Sequence, residues 1–151
     1  YDLAPEMSAR DITRHLVESL RLRRHDAIIV NFANGDMVGH TGKLDAAIAA
    51  CETVDRCLAM ILQAVREADG AMLVTADHGN CEMMLDPVTG GPHTAHTLNP
   101  VPTVLVSNQS GSTTLRNGRL ADVAPTILDL LGIPQPAAMT GRSLCVPAPV
   151  T

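Results

Sequence analysis

Two aspartate–histidine pairs and one later histidine are the residues of this 151-residue chain whose types and spacing could do chemistry. Asp36 is followed four residues on by His40, Asp77 is followed at once by His78, and His96 lies in a stretch that also holds His93. Carboxylate oxygen with neutral imidazole nitrogen suits Mn, Zn, Fe or Co, whereas Ca selects all-oxygen shells. Gly35 and Gly39 flank the first pair and Gly79 the second, so the backbone can bend tightly around an ion. Taken singly, each piece has a plain reading: a chance spacing, a turn with a satisfied histidine, a surface histidine. Their conjunction favours a metal site made by Asp36, His40, Asp77, His78 and His96. Five donors are too many for one catalytic ion that keeps an open position and too few for two complete shells. Two ions roughly 4 Å apart would clamp a transferring phosphoryl group, with ligands beyond these five. His15, on a helix, and His25, beside a helix end, have no metal-like partner nearby in sequence.

Such a conjunction requires elements that bring the pairs to one edge. Ser8-Ala9-Arg10-Asp11 has the form of a helix start, and Ile12, Leu16 and Leu20 continue it, which predicts a helix over 8–23. Residues 27–32 are a short apolar, β-branched run without alternation, the pattern of a strand buried on both faces of a parallel sheet. A loop through Gly39 and Gly42 follows. Leu44, Ala47, Ile48, Cys51, Val54, Leu58, Ile61, Leu62 and Val65 then step by three and four, an amphipathic helix. Residues 71–76 form a second predicted strand, ended by Asp77-His78-Gly79. Residues 79–101 are a long loop with Pro87, Gly90, Gly91, Pro92 and Pro100, and long loops in compact domains are usually functional. A third strand is expected at 103–106 and a helix at 122–131, with Pro125 in its first turn and Gly132 as its stop. The tail after Pro134 reads as irregular. The alternation predicts an α/β fold, a mostly parallel sheet flanked by helices. Ligands of such sheets lie beyond the carboxyl ends of the strands, where both pairs and the long loop fall.

Composition excludes several classes. The chain is one domain in length and 46% hydrophobic, but Tyr1 and Phe32 are its only aromatic residues, so it has no platform for stacking bases. Net charge is −5, and the one basic cluster, Arg21, Arg23 and Arg24, sits at a predicted helix end where cations complement the dipole. Nucleic-acid binding has no electrostatic footprint here. Cys51, Cys57, Cys81 and Cys145 lack CxxC spacing and read as reduced thiols of a cytoplasmic protein, with Cys51 and Cys57 on the apolar face of the long helix. No apolar run reaches membrane-spanning length and no signal peptide is evident. The first residue is Tyr1 rather than Met, which reads as a cut, processed or truncated chain.

Residues 31–42, with Asn34-Gly35-Asp36-Met37-Val38-Gly39-His40-Thr41-Gly42, resemble the cofactor-independent phosphoglycerate mutase family. So do Thr75-Ala76-Asp77-His78-Gly79-Asn80 and Thr94-Ala95-His96-Thr97-Leu98-Asn99-Pro100-Val101-Pro102, together with residues 1–8 and 122–132. The resemblance spans nearly the whole chain. It implies the alkaline-phosphatase-like α/β fold and interconversion of 3-phosphoglycerate and 2-phosphoglycerate through a phosphoserine. Two divalent ions are implied, Mn2+ in bacterial members with Co2+, Mg2+ or Zn2+ as alternatives, and no 2,3-bisphosphoglycerate. Asp36, His40 and His96 match the ligands of one ion, Asp77 and His78 those of the second; His93 does not match a ligand. Residues 1–151 then correspond to the C-terminal portion of the metal-binding domain. An aspartate and the nucleophilic serine, activated by metal coordination, belong to an N-terminal part, from which an inserted phosphotransferase domain separates this segment. None of Ser8, Ser19, Ser107, Ser110, Ser112 and Ser143 has the nucleophile's context, so no catalytic residue is assigned. The resemblance further implies a small-molecule substrate, a monomer when full length, and no nucleic-acid or membrane partner. The competing expectations are a phosphopentomutase or phosphatase with the same metal skeleton, and a non-catalytic α/β fragment that binds metal.

Overall fold

The computed structural model describes residues 1–108 and 113–148; Ser110 and Ser112 lie outside them. The chain divides into two compact units, residues 1–68 with 78–101, and residues 69–77 with 102–151.

The first unit is helical. Helix α1 spans Ala9–Arg21 and helix α3 Leu44–Glu67, with a short helix, α2, over Asn34–Gly39. The Ser8 side chain makes no capping bond, although the sequence has the form of a cap. Residues 27–32 were expected as a strand, but among the described residues they join no ladder. Ile29 there is 88% exposed. An apolar run becomes a strand only where a neighbouring strand takes its N–H and C=O groups, and this unit offers none among the described residues. The expected loop at 34–39 is instead α2, too short to reveal an apolar period and held by tertiary bonds. Asn34, buried, donates through Nδ2 to the carbonyls of Pro5 (2.8 Å) and Glu6 (2.9 Å), tying the start of α2 to the N-terminal segment.

Helix α3 is where predicted, but a different stripe is buried. Ala47, Ala50, Thr53, Cys57, Ile61, Ala64 and Val65 face inward, while Leu44, Ile48 and Cys51 are exposed. The helix is apolar on more than one side, and its small-residue side is the one that packs against α1 and α2. Val38 of α2, Ala47 and Ala50 of α3, and Met84 form a buried cluster, with Cys81 packed on its edge.

The second unit pairs β1 (Ala71–Thr75) with β2 (Thr103–Ser107), and β3 (Thr113–Leu115) with β4 (Cys145–Pro147). Both pairs are antiparallel, so the α/β class holds while the expected parallel pairing does not occur among the described residues. Strand β4 falls in the tail read as irregular, where a three-residue strand leaves too short a pattern to recognise. The predicted helix at 122–131 is a 3-10 turn, Leu120–Asp122, followed by α4, Val123–Leu130. Asp122, 3% exposed, organises this unit. Its carboxylate accepts from the backbone N–H groups of Arg142 (3.0 Å) and Arg119 (3.2 Å) and from Arg116 Nη2 (3.3 Å). The Arg142 bond leads in holding its pKa below the usual carboxylate range, against the opposing effect of burial. One turn on, Thr126 Oγ1 donates to the Asp122 carbonyl (2.7 Å) and accepts from the Leu144 N–H (2.8 Å).

Thr126 has no exposed surface. Thr126→Val keeps its shape but leaves the buried Leu144 N–H without this acceptor, and should cost about 1–3 kcal/mol of stability. The urea midpoint reads this directly; an unchanged midpoint would remove the bond from the account.

Candidate metal centre

Helix α2 positions the first pair. Asp36 lies in its first turn and His40 is its C-cap, and a four-residue step on a helix stacks the two side chains on one face. His96 comes from the long loop. Asp36 Oδ1 lies 3.1 Å from His40 Nε2 and 3.0 Å from His96 Nε2, and the two Nε2 atoms are 3.1 Å apart. This triangle is slightly smaller than the edge of roughly 3.4 Å that bonds of about 2.1 Å give in a tetrahedron. These three donors form the metal-compatible group found among the described residues. His78 Nε2 approaches Asp36 Oδ1 to 4.0 Å, and its ring stacks on His96 with centroids 3.7 Å apart. Asp77 is the last residue of its stretch in the second unit, directly before His78 in the chain. His93 is not in the triangle; its backbone N–H bonds to the Met84 carbonyl.

His40 is oriented for ligation. His40 Nδ1 lies 2.6 Å from the Thr94 carbonyl oxygen, and a carbonyl can only accept, so Nδ1 carries the proton. In the neutral imidazole Nε2 then keeps its lone pair, directed at the triangle, the arrangement by which an outer hydrogen bond fixes the tautomer of a metal-binding imidazole. Gly42, with φ of +67°, lets the chain turn so closely that an added Cβ there would lie 2.9 Å from Pro92 and 3.0 Å from Thr94. That close approach holds the 92–94 segment against His40.

Two residues that did not stand out in the sequence complete the site. Asn80 Nδ2 donates to Asp36 Oδ1 (3.0 Å) and to the Asp36 carbonyl (3.3 Å). Burial pushes the Asp36 carboxyl up, but the Asn80 bond and the neighbouring His40 and His96 outweigh it, and the net shift is downward. Asp36 is thus kept as a carboxylate, the form a cation needs. Gly39 makes room for Asn80, since a Cβ there would lie 2.1 Å from its Oδ1. Glu82 joins the two halves of the loop. Its Oε1 accepts from the Thr97 hydroxyl and from Asn99 Nδ2 (2.9 Å), and its Oε2 from the Asn80 N–H (2.6 Å). With the Thr97 N–H to Gly79 carbonyl bond (2.9 Å), this fastens the residues after His78 to those after His96. Asn80 could have been suspected from its place beside Asp77-His78-Gly79; nothing local marks Glu82.

The Thr97 hydroxyl, opposed by burial and helped by Asn99, holds the Glu82 pKa down to about 2 from an ordinary 4.5. A depressed carboxylate pKa contributes stability that is complete above the unfolded value and is lost as pH falls through the folded one. The clamp should therefore hold down to about pH 4.5 and fail as pH approaches 2. A carbon-detected NMR titration should place the Glu82 midpoint well below 4.5; an ordinary midpoint would mean the clamp is not formed in solution.

Among the described residues no helix is long and apolar enough to cross a membrane. Comparison with known proteins agrees with the geometry. The 2,3-bisphosphoglycerate-independent phosphoglycerate mutase of Cereibacter sphaeroides (strain ATCC 17025 / ATH 2.4.3) is 65% identical over 144 residues, covering 95% of this chain and 28% of that protein. The protein of the same name from Ruegeria pomeroyi is 60% identical over the same coverage. The chain thus spans 28% of the length of these relatives. A crystal structure of Leishmania mexicana phosphoglycerate mutase at low cobalt concentration superposes with a TM-score of 0.89 at 35% identity, covering 98% of this chain and 30% of that one. The fold is accordingly the alkaline-phosphatase-like α/β arrangement. The model of the Metalloenzyme superfamily matches residues 1–135, and the chain belongs to that family.

Proposed function

We propose that residues 1–151 are the C-terminal portion of the metal-binding domain of a cofactor-independent phosphoglycerate mutase. The observation that carries this reading is the Asp36, His40 and His96 triangle within a sequence 60–65% identical to proteins of that name. The same name favours the mutase over a phosphopentomutase or a phosphatase. In this reading the triangle holds one divalent ion, and Asp77 and His78 contribute to a second. The His78 ring, stacked on His96, stands next to the first site. Mn2+ is the ion we favour, with Co2+, Mg2+ and Zn2+ also compatible with mixed oxygen and nitrogen donors.

The chemistry the ions supply is neutralisation of phosphoryl charge and a lowered pKa for a bound hydroxyl. The residues of this chain hold and orient. Asp36 offers a carboxylate kept ionised by Asn80, and His40 presents Nε2 because its Nδ1–H donates to the Thr94 carbonyl. Glu82 keeps the two histidine-bearing segments in register. The substrate is 3-phosphoglycerate or 2-phosphoglycerate, interconverted through a phosphoserine in the cytoplasm by a monomeric whole enzyme, without 2,3-bisphosphoglycerate. The nucleophilic serine, a further aspartate and the inserted phosphotransferase domain belong to other parts of that enzyme. The described serines do not offer a substitute: Ser143, for example, donates to Asp129 (2.5 Å) and accepts from the Cys145 N–H.

Calorimetric titration of the purified chain with Mn2+ should give one ion bound through the triangle. His40→Ala should weaken that binding at least tenfold, since it removes a donor; unchanged affinity would strike His40 from the ligand set. In an enolase-coupled assay the chain alone should give no turnover of 3-phosphoglycerate. Turnover by protein free of host enzyme would overturn the assignment of the nucleophile to another part of the polypeptide.

A further inference from the structure

The chain contains two Asn-Gly pairs, Asn34-Gly35 and Asn117-Gly118, and the fold treats them oppositely. An asparagine before glycine can lose its side-chain amide without an enzyme, because a neighbour lacking Cβ lets its backbone nitrogen reach the asparagine Cγ. The first pair opens α2. Asn34 is 2% exposed, and its Nδ2 donates to the Pro5 and Glu6 carbonyls. Helical backbone also holds ψ at about −42°, and closing a five-membered ring would require it to leave that well. The second pair lies in the irregular segment between β3 and the 3-10 turn. Asn117 and Gly118 are both exposed, and no hydrogen bond among the described residues holds the Asn117 side-chain amide. Asn117 also lines a cleft with Arg116, Arg119 and Arg142. Asp122, on the same cleft, is already engaged by the backbone N–H groups of Arg142 and Arg119.

We propose that Asn117-Gly118 is a site of spontaneous deamidation, which sets a new carboxylate in the arginine-lined cleft while Asn34 is spared. The Gly118 nitrogen gives its proton to hydroxide and bonds to the Asn117 Cγ. The bond from Cγ to the side-chain nitrogen then breaks, and ammonia leaves with a proton from water, closing a succinimide. Water opens that ring at either carbonyl. Attack at Cγ restores the ordinary backbone as aspartate; attack at the backbone carbonyl leaves isoaspartate. One water is consumed and one ammonia released, with no change of oxidation state. Each anionic species on this path, from the tetrahedral oxyanion to the final carboxylate, forms beside guanidinium groups that attract it. The net charge of the chain falls by one from −5.

Holding the purified chain in mildly alkaline buffer, then digesting it under mildly acidic conditions for mass mapping, tests the site. The expected result is an amide-to-acid mass gain at residue 117, part of it as isoaspartate, at a rate at least about tenfold above that at residue 34. Isoelectric focusing of the intact chain should show a more acidic band growing at the same rate. In guanidinium chloride the two asparagines should convert at comparable rates, since the fold alone separates them. Asn117→Gln should suppress the acidic band and the labelling by an isoaspartate methyltransferase, because the longer side chain closes its ring far more slowly. That position is exposed, so the variant keeps its fold. Residue 117 remaining an amide in the folded chain, or residue 34 converting there as fast as residue 117, would overturn the proposal.

Discussion

One carboxylate oxygen, Asp36 Oδ1, is the point on which the first unit is built. It accepts from Asn80 and lies within about 3 Å of two imidazole nitrogens. Three of these groups come from different segments: α2, the turn after His78, and the loop before Thr97. A negatively charged oxygen partly withdrawn from water is met by donors or cations, and the groups that meet it come from those same segments. The requirement that this one oxygen be satisfied therefore brings together stretches far apart in sequence. It also explains why the supporting residues are hydrogen-bond donors rather than apolar side chains. Asn80 supplies what a cation would otherwise have to supply alone, and Glu82 returns the favour to Asn80 through its backbone N–H.

The second unit solves the same problem with fixed protein groups. Asp122 is buried as deeply as any charged group described and is met by two backbone N–H groups and Arg116. Its partners are all internal, so its carboxylate is structural. The contrast is informative about the first unit. Asp36 keeps one face toward His40 and His96, and the His40 ring is held by its Nδ1–H donating to the Thr94 carbonyl. A structural carboxylate is enclosed by fixed donors; this one shares a face with two imidazole nitrogens that can ligate, the grouping that suits a positive ion.

How much of this was legible beforehand depended on whether the signal is local. Asp36, His40 and His96 are expected to meet because each follows a predicted strand or lies in the long loop leading into one; they do meet, but the first pair rides on a short helix rather than a strand end. Helix α3 announced itself through its period, but not which side would be buried. Leu44, Ile48 and Cys51 extend an apolar stripe, yet the buried side runs through Ala47, Ala50, Thr53, Cys57, Ile61, Ala64 and Val65, because the helix is apolar on more than one side and only its packing partners decide between them. Helix α2 has two glycines and only six residues, and its stability comes from Asn34 and Asn80 rather than from propensity. The apolar run at 27–32 has the composition of a strand, and composition cannot supply the partner that turns it into one. Glu82 was invisible for a simpler reason: its three partners acquire meaning only once the loop has folded back on itself.

The alanines at the contact between α2 and α3 have a consequence for how this centre can vary. Val38 sits fully buried against Ala47 and Ala50, so methyl groups line the contact between the two helices, and the side chains at a contact set how closely helices pack. Asp36 rides on α2, two residues from Val38. Any larger side chain at 47 or 50 would act as a shim, lifting α2 and displacing the carboxylate from its imidazoles while touching none of them. The tolerance of the metal geometry is thus written partly at positions that carry no chemistry.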